Sequence, residues 1–165
     1  MLKNQNVKNL KGVKTMNEYD YPIATPDTMI AYVDGSYNIK TKTYGAGAAI
    51  FYKGELTKYT KSGNDPEMAK MRNVAGEVMA AEHAMLFALN TPGVTRLVIY
   101  YDYSGVEAWC TGKWKTNKKG TIRYKRFYDE KVKPNLQVVF MKVKGHSGNQ
   151  WNDLADEYAK EAAGI

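Results

Sequence analysis

Arg96–Tyr101 reads RLVIYY, six residues with almost nothing polar among them, and it stops abruptly on Asp102. A strand this apolar must be covered on both faces, as in the middle of a sheet layered by helices. The neighbouring segments say which kind of sheet. Three strand-like runs come first: Thr28–Val33, which meets a turn signal at Asp34-Gly35-Ser36; Tyr44–Tyr52; and Glu55–Lys61, with a hairpin expected at Lys53-Gly54. Asn73–Leu89 then carries a helical period, with Val74, Val78, Ala81, Met85 and Ala88 on one stripe and Asn73 as the expected cap. Beyond Asp102 the pattern predicts a short helix at Gly105–Thr111, a basic segment helical from about Ile122, and a last strand at Leu136–Val143. A flexible loop, Gly145-His146-Ser147-Gly148, leads into a closing helix over Asn152–Ala163.

The order βββαβααβα predicts an α/β fold: a mixed five-stranded sheet, three antiparallel strands followed by parallel ones, with helices on both faces. Residues 1–27 are rich in Asn and Lys and show no apolar period. They are expected to form a flexible N-terminal tail ahead of a single domain at 28–165.

Charge narrows the partners. The net charge is +7, and residues 113–133 alone hold nine basic side chains against Asp129 and Glu130, which accounts for the whole excess. A compact basic stretch on an otherwise neutral chain points to a polyanion. The single cysteine, Cys110, can form no internal disulfide and joins no cluster of metal ligands, so a cytoplasmic setting is expected. No apolar run approaches the roughly 18 residues that a membrane span needs, and the N-terminus lacks the apolar core of a secretory signal.

Four acids occupy suggestive places. Asp34 and Asp102 end strands, where functional groups gather in an open α/β sheet. Glu77 lies in the first turns of the main helix, off its apolar stripe, and Asp156 sits one turn into the last helix. Taken singly, Asp34 reads as a turn residue and Glu77 and Asp156 as solvated helix positions. Asp102 is the strongest of the four, because an acid ending a buried strand must find a partner. Brought together without cations they would repel one another. Oxygen-only donors select a hard ion, Mg²⁺ or Mn²⁺. Two such ions about 3.5–4 Å apart activate water and stabilise a leaving oxygen in phosphodiester cleavage.

Together these segments resemble type 1 ribonuclease H. The resemblance runs from about Met29 to the C-terminus and rests on Ala31-Tyr32-Val33-Asp34-Gly35-Ser36, Asn73 with Glu77, and Val98–Ser104. It continues through Val143–Asn149 and Asn152-Asp153-Leu154-Ala155-Asp156. It implies a ribonuclease H-like fold and a monomeric endonuclease that cuts the RNA strand of RNA/DNA hybrids, leaving 5′-phosphate and 3′-hydroxyl ends. It also implies two Mg²⁺ ions, with Mn²⁺ as a substitute, held by Asp34, Glu77, Asp102 and Asp156. Asp153 competes for the last place, and Asn152 sets the register that favours Asp156. His146 matches the family histidine that assists proton transfer or product release, whereas His83 is expected to be structural. The backbone around Gly35 and Ser36, with Asn73 and Glu77, matches the positions where the family senses the RNA 2′-OH, and Ser36, Asn38 and Asn73 are expected polar contacts. Tyr103, Ser104, Trp114 and Lys115 stand where the DNA strand would lie. The basic protrusion is compressed here into about Gly112–Gly120.

Overall fold

The structure is a computed structural model and describes residues 14–15, 20–144 and 149–165. Its strands are β1 (Lys14–Thr15), β2 (Pro22–Ile23), β3 (Thr28–Asn38), β4 (Thr43–Tyr52), β5 (Glu55–Gly63), β6 (Arg96–Tyr101) and β7 (Gln137–Lys142). Its helices are α1 (Pro66–Ala69), α2 (Asn73–Leu89), α3 (Gly105–Thr111), α4 (Lys119–Phe127), which runs on into a π-helical turn at Tyr128–Val132, and α5 (Gln150–Ala163). The main sheet has the order β5-β4-β3-β6-β7. β3, β4 and β5 pair antiparallel, and β6 and β7 join in parallel. This is the mixed five-stranded sheet expected.

The apolar β6 lies inside as its composition requires. Leu97, Ile99 and Tyr101 face the core under α2, while Val98 and Tyr100 face the core under α5. β3 alternates likewise, with Met29, Ala31 and Val33 on the first side and Ile30 and Tyr32 on the second. Both strands are therefore buried on both faces, and side-chain alternation fixes their register.

Asp34-Gly35-Ser36 is not a turn. β3 runs through it, pairing Asp34 with Gly47, Gly35 with Ala46 and Ser36 with Gly45. The turn propensity of these residues is overridden because β4 offers a ladder as far as Asn38 opposite Thr43. The parallel partner ends sooner, at Tyr32 opposite Tyr100. Asp34 thus sits where β3 loses one neighbour, and extending the β3–β6 register by two places sets it level with Asp102.

Helix α2 has the bounds expected, but Asn73 is its first helical residue. Arg72 takes the cap position at φ 53° without a side-chain hydrogen bond, and its guanidinium lies over the Tyr37 ring. The start of α2 rests on the sheet with no side chain between them. A Cβ on Gly35 would overlap the Asn73 carbonyl oxygen and the Glu77 amide, and one on Gly76 would overlap the Gly45 carbonyl. Helix α5 begins two residues earlier than expected, because the Asn149 side chain caps it by accepting from the Trp151 and Asn152 amides at 3.0 and 2.9 Å. The basic helix α4 is mounted on α3 by the buried Tyr124, whose hydroxyl donates to the Val106 carbonyl at 2.6 Å. Gly120 of α4 faces the sulfur atoms of Met68 and Met71.

The segment expected as a tail is packed over its described part. Asp20 and Pro22 are buried, Tyr21 lies against Phe51 and Trp151, and Tyr52 donates to the Pro26 carbonyl at 2.9 Å. β1 pairs with β2. Residues 20–27 are thus packed ahead of Thr28, because the aromatic face of β4 accepts Tyr21.

The glycine seat gives a prediction whose sign is not obvious. Alanine at a helix-interior glycine normally gains about 1 kcal/mol, but Gly76→Ala would drive its methyl into the Gly45 backbone. We expect a net loss of about 1–3 kcal/mol in urea unfolding; a stabilised variant would mean that α2 is not seated as described.

Candidate active site

Four carboxylates line one cleft of about 340 Å³, with Gly35, Asn73 and Tyr103 completing its wall. Asp34 arrives from the interior of β3, and its Oδ1 accepts the Gly35 amide at 2.8 Å. Asp102 follows the last residue of β6. Glu77 comes from the second turn of α2, pulled in by the seat at Gly35 and Gly76, and is only 2% exposed. It is thus buried, where the stripe pattern placed it on a solvated face. Asp34, Glu77 and Asp102 each offer an oxygen within 4.8 Å of the others. Asp156 approaches from α5, half-buried, while Asp153 is exposed and lines no part of the cleft.

Burial pushes the Asp34 carboxyl up to about 7, against the relief of its contact with Glu77 and with the Asp102 charge adding to the rise. For Glu77, burial first and the Asp34 charge second hold the carboxyl well above the usual carboxylate range. Glu77 Oε2 is buried and has no hydrogen-bond partner among the described residues. An orphaned acceptor beside two more carboxylates, with no nitrogen or sulfur donor among them, fits a hard divalent cation. Asp156 instead pairs with Lys160 at 3.1 Å, one turn along α5.

The sequence profile of the family described as RNase H matches residues 26–164. The chain belongs to the ribonuclease H family. A "Ribonuclease H" of Chlorobaculum parvum is 34% identical over 146 residues, covering 82% of this chain and 94% of the relative. One from Francisella philomiragia is 30% identical over 146 residues, covering 82% and 91%. Among solved structures, the RNase H1 of the halophilic archaeon Halobacterium salinarum shares the fold, with TM-score 0.66 at 21% identity over 82% of this chain and 96% of that one. The chain is thus a ribonuclease H enzyme, of a family that depends on divalent metal.

The other expected residues divide. Gly35, Asn73 and Tyr103 line the ribonuclease H cleft with the acids, and Ser36 follows along β3. Ser104 starts α3, and its hydroxyl accepts from Lys142 at 2.7 Å. Trp114 is 41% exposed and packs edge-on to Tyr103 and Trp109, so one aromatic trio links the cleft to the basic segment. Lys115 is exposed. Asn38 lies elsewhere: its Nδ2 donates to the Ala163 and Gly164 carbonyls, and its Oδ1 accepts from the Lys40 and Thr41 amides. It therefore ties β3 to the end of α5 rather than facing the cleft. His146 and its loop lie outside the described residues. His83 stacks on Tyr59 at 3.7 Å, away from the cleft.

Two residues escaped the sequence reading. Lys160 had a readable signal, its i,i+4 spacing from Asp156. Lys142 had none, because its contact with Ser104 spans two elements. No helix among the described residues is long and apolar enough to cross a membrane.

The raised carboxyls fix a sign. An acid whose folded pKa lies above its unfolded value of about 4 contributes its stability below that value and loses it as pH rises through the folded pKa. With chelator present, the melting temperature should therefore fall as pH rises from about 4 through about 7. Mg²⁺ should restore it near pH 8 and do little near pH 4. An equal effect of Mg²⁺ at both ends of the range would contradict the assignment.

Proposed function

We propose that the chain is an endonuclease hydrolysing the RNA strand of RNA/DNA hybrids, with two Mg²⁺ ions held by Asp34, Glu77, Asp102 and Asp156 and with 5′-phosphate and 3′-hydroxyl products. The observation that carries this reading is the buried Asp34–Glu77–Asp102 cluster with its orphaned Glu77 oxygen. Asp34, Glu77, Asp102 and Asp156 would hold these ions, and Asp156 would leave its ion pair with Lys160 to do so. Bound divalent ions supply an activated water and charge stabilisation at the leaving oxygen.

The chain's own residues bind and align. The backbone at Gly35 and Ser36, with the Asn73 and Glu77 side chains, meets the RNA strand and its 2′-hydroxyls, the groups that separate RNA from DNA. Tyr103, Ser104, Trp114 and Lys115 take the DNA strand by stacking and phosphate contact. Lysines and arginines of residues 113–133 hold the backbone and set affinity without touching the scissile bond. His146 aids proton transfer or product release. A monomer in the cytoplasm is the setting proposed, consistent with a lone buried thiol at Cys110.

Cleavage of an end-labelled hybrid in Mg²⁺ tests the reading. Asp102→Asn should fold normally and lose activity by more than about 100-fold. Salt-dependent hybrid binding without turnover in Mg²⁺ or Mn²⁺ would instead make the chain a binding module.

The division of labour has its own test. Replacing Lys115, Lys118 and Lys119 together by alanine should raise KM for hybrid, flatten the salt slope by about 2–3 and leave kcat nearly unchanged. A large fall in kcat would refute it.

A further inference from the structure

Helix α5 meets β4 along a taper. The β4 residues facing it are alternate ones, Gly45, Gly47, Ala49 and Phe51, and their size grows toward the first turn of the helix. At the narrow end backbone lies on backbone: a Cβ on Gly45 would overlap the Ala159 carbonyl, and one on Gly47 would overlap the Ala155 carbonyl and the Ala159 amide. At the wide end Phe51 and Trp151 stand between strand and helix, their ring centroids 5.0 Å apart. Two rings leave an opening where glycines leave none, and Tyr21 fills it. Its ring lies 5.2 Å from Phe51 and 5.4 Å, edge-on, from Trp151.

Tyr21 lies outside the residues that match the family profile, 26–164. The segment bearing it is anchored at both ends: β2 pairs with β1, and the Asp27 carbonyl accepts from the Thr95 and Arg96 amides at 2.9 and 3.1 Å.

We propose that Tyr21 is a positioning residue for the catalytic centre: wedged against Phe51 and Trp151, it sets the pitch of the first turns of α5 and so the place of Asp156 opposite Asp34. Asp156 lies five residues beyond Trp151, about one and a half turns along the helix. Asp34, Glu77 and Asp102 are placed by β3, α2 and β6, whereas the ring contacts of Tyr21 are with Phe51 of β4 and Trp151 of α5. Loss of the wedge therefore moves one carboxylate of four and leaves the basic segment in place. The inference rests on the reading of Asp156 as a metal ligand given above.

The test compares Tyr21→Ala, Tyr21→Phe and a control, Leu136→Ala, which empties part of the core under α2 at the far end of the sheet. In metal-free protein, Tyr21→Ala should speed amide exchange over residues 150–156 by about tenfold or more and leave β6 unchanged. By calorimetry it should weaken Mg²⁺ binding about tenfold, with the same rise in the Mg²⁺ needed for half-maximal hybrid cleavage. KM for hybrid at saturating Mg²⁺ should hold within about twofold, and Tyr21→Phe should restore wild-type behaviour in every assay. Unchanged exchange over 150–156, or faster exchange with unchanged Mg²⁺ binding, overturns the proposal. So does an equal Mg²⁺ shift in Leu136→Ala, which would mark general loosening. Should wild type bind Mg²⁺ but cleave no hybrid, the proposed function falls, while the exchange and calorimetric comparisons still decide the role of Tyr21.

Discussion

Everything at the cleft depends on helices touching the sheet without side chains between them. Glycine against glycine at the start of α2, and glycine against alanine along α5, bring helix axes closer to β3 and β4 than ordinary packing allows. That closeness draws Glu77 under cover, and it carries the helix bearing Asp156 to the sheet face from which Asp34 projects. A single added methylene at these contacts would lift a carboxylate away from its neighbours. The acids are therefore placed by backbone geometry, which is stiff, rather than by long flexible side chains.

The same closeness stores electrostatic tension. Asp34 and Glu77 are desolvated together; burial lifts both carboxyls, the Asp34 charge adds to the rise at Glu77, and the Asp102 charge adds to the rise at Asp34. Lys160 forms its ion pair with Asp156 and also feels the Asp34 charge. Meanwhile the positive excess lies on α4 and its approaches, beyond the aromatic trio. Separating the basic face from the acidic centre lets one surface attract a polyanion and the other collect cations without mutual neutralisation.

Much of this was legible in residue order. The apolar RLVIYY run announced a strand covered twice, the hairpin at Lys53-Gly54 and the bounds of α2 and α3 followed from local signals, and the order of elements foretold the mixed sheet. The misreadings share one cause: local chemistry was outvoted by tertiary contact. Asp34-Gly35-Ser36 has the composition of a turn, yet a neighbouring strand supplied a ladder. Glu77 fell off the apolar stripe, yet a contact between glycines buried it. Asn38 looked like a polar probe of the cleft, yet the end of α5 claimed its amide. Residues 20–27 lack any period, yet one tyrosine found an aromatic socket. None of these outcomes is encoded within a window of ten residues, because each depends on a partner far along the chain.

The mounting of α4 differs in kind from that of α2. The buried Tyr124 donates to the Val106 carbonyl, Lys125 donates to the Cys110 carbonyl at 3.2 Å, and two thioether groups lie opposite Gly120; thioethers repack easily. The basic face is thus a compliant bearing, while the carboxylates stand on a rigid bed. A shift of α4 on its thioethers would be taken up there, and its strain need not reach the acids.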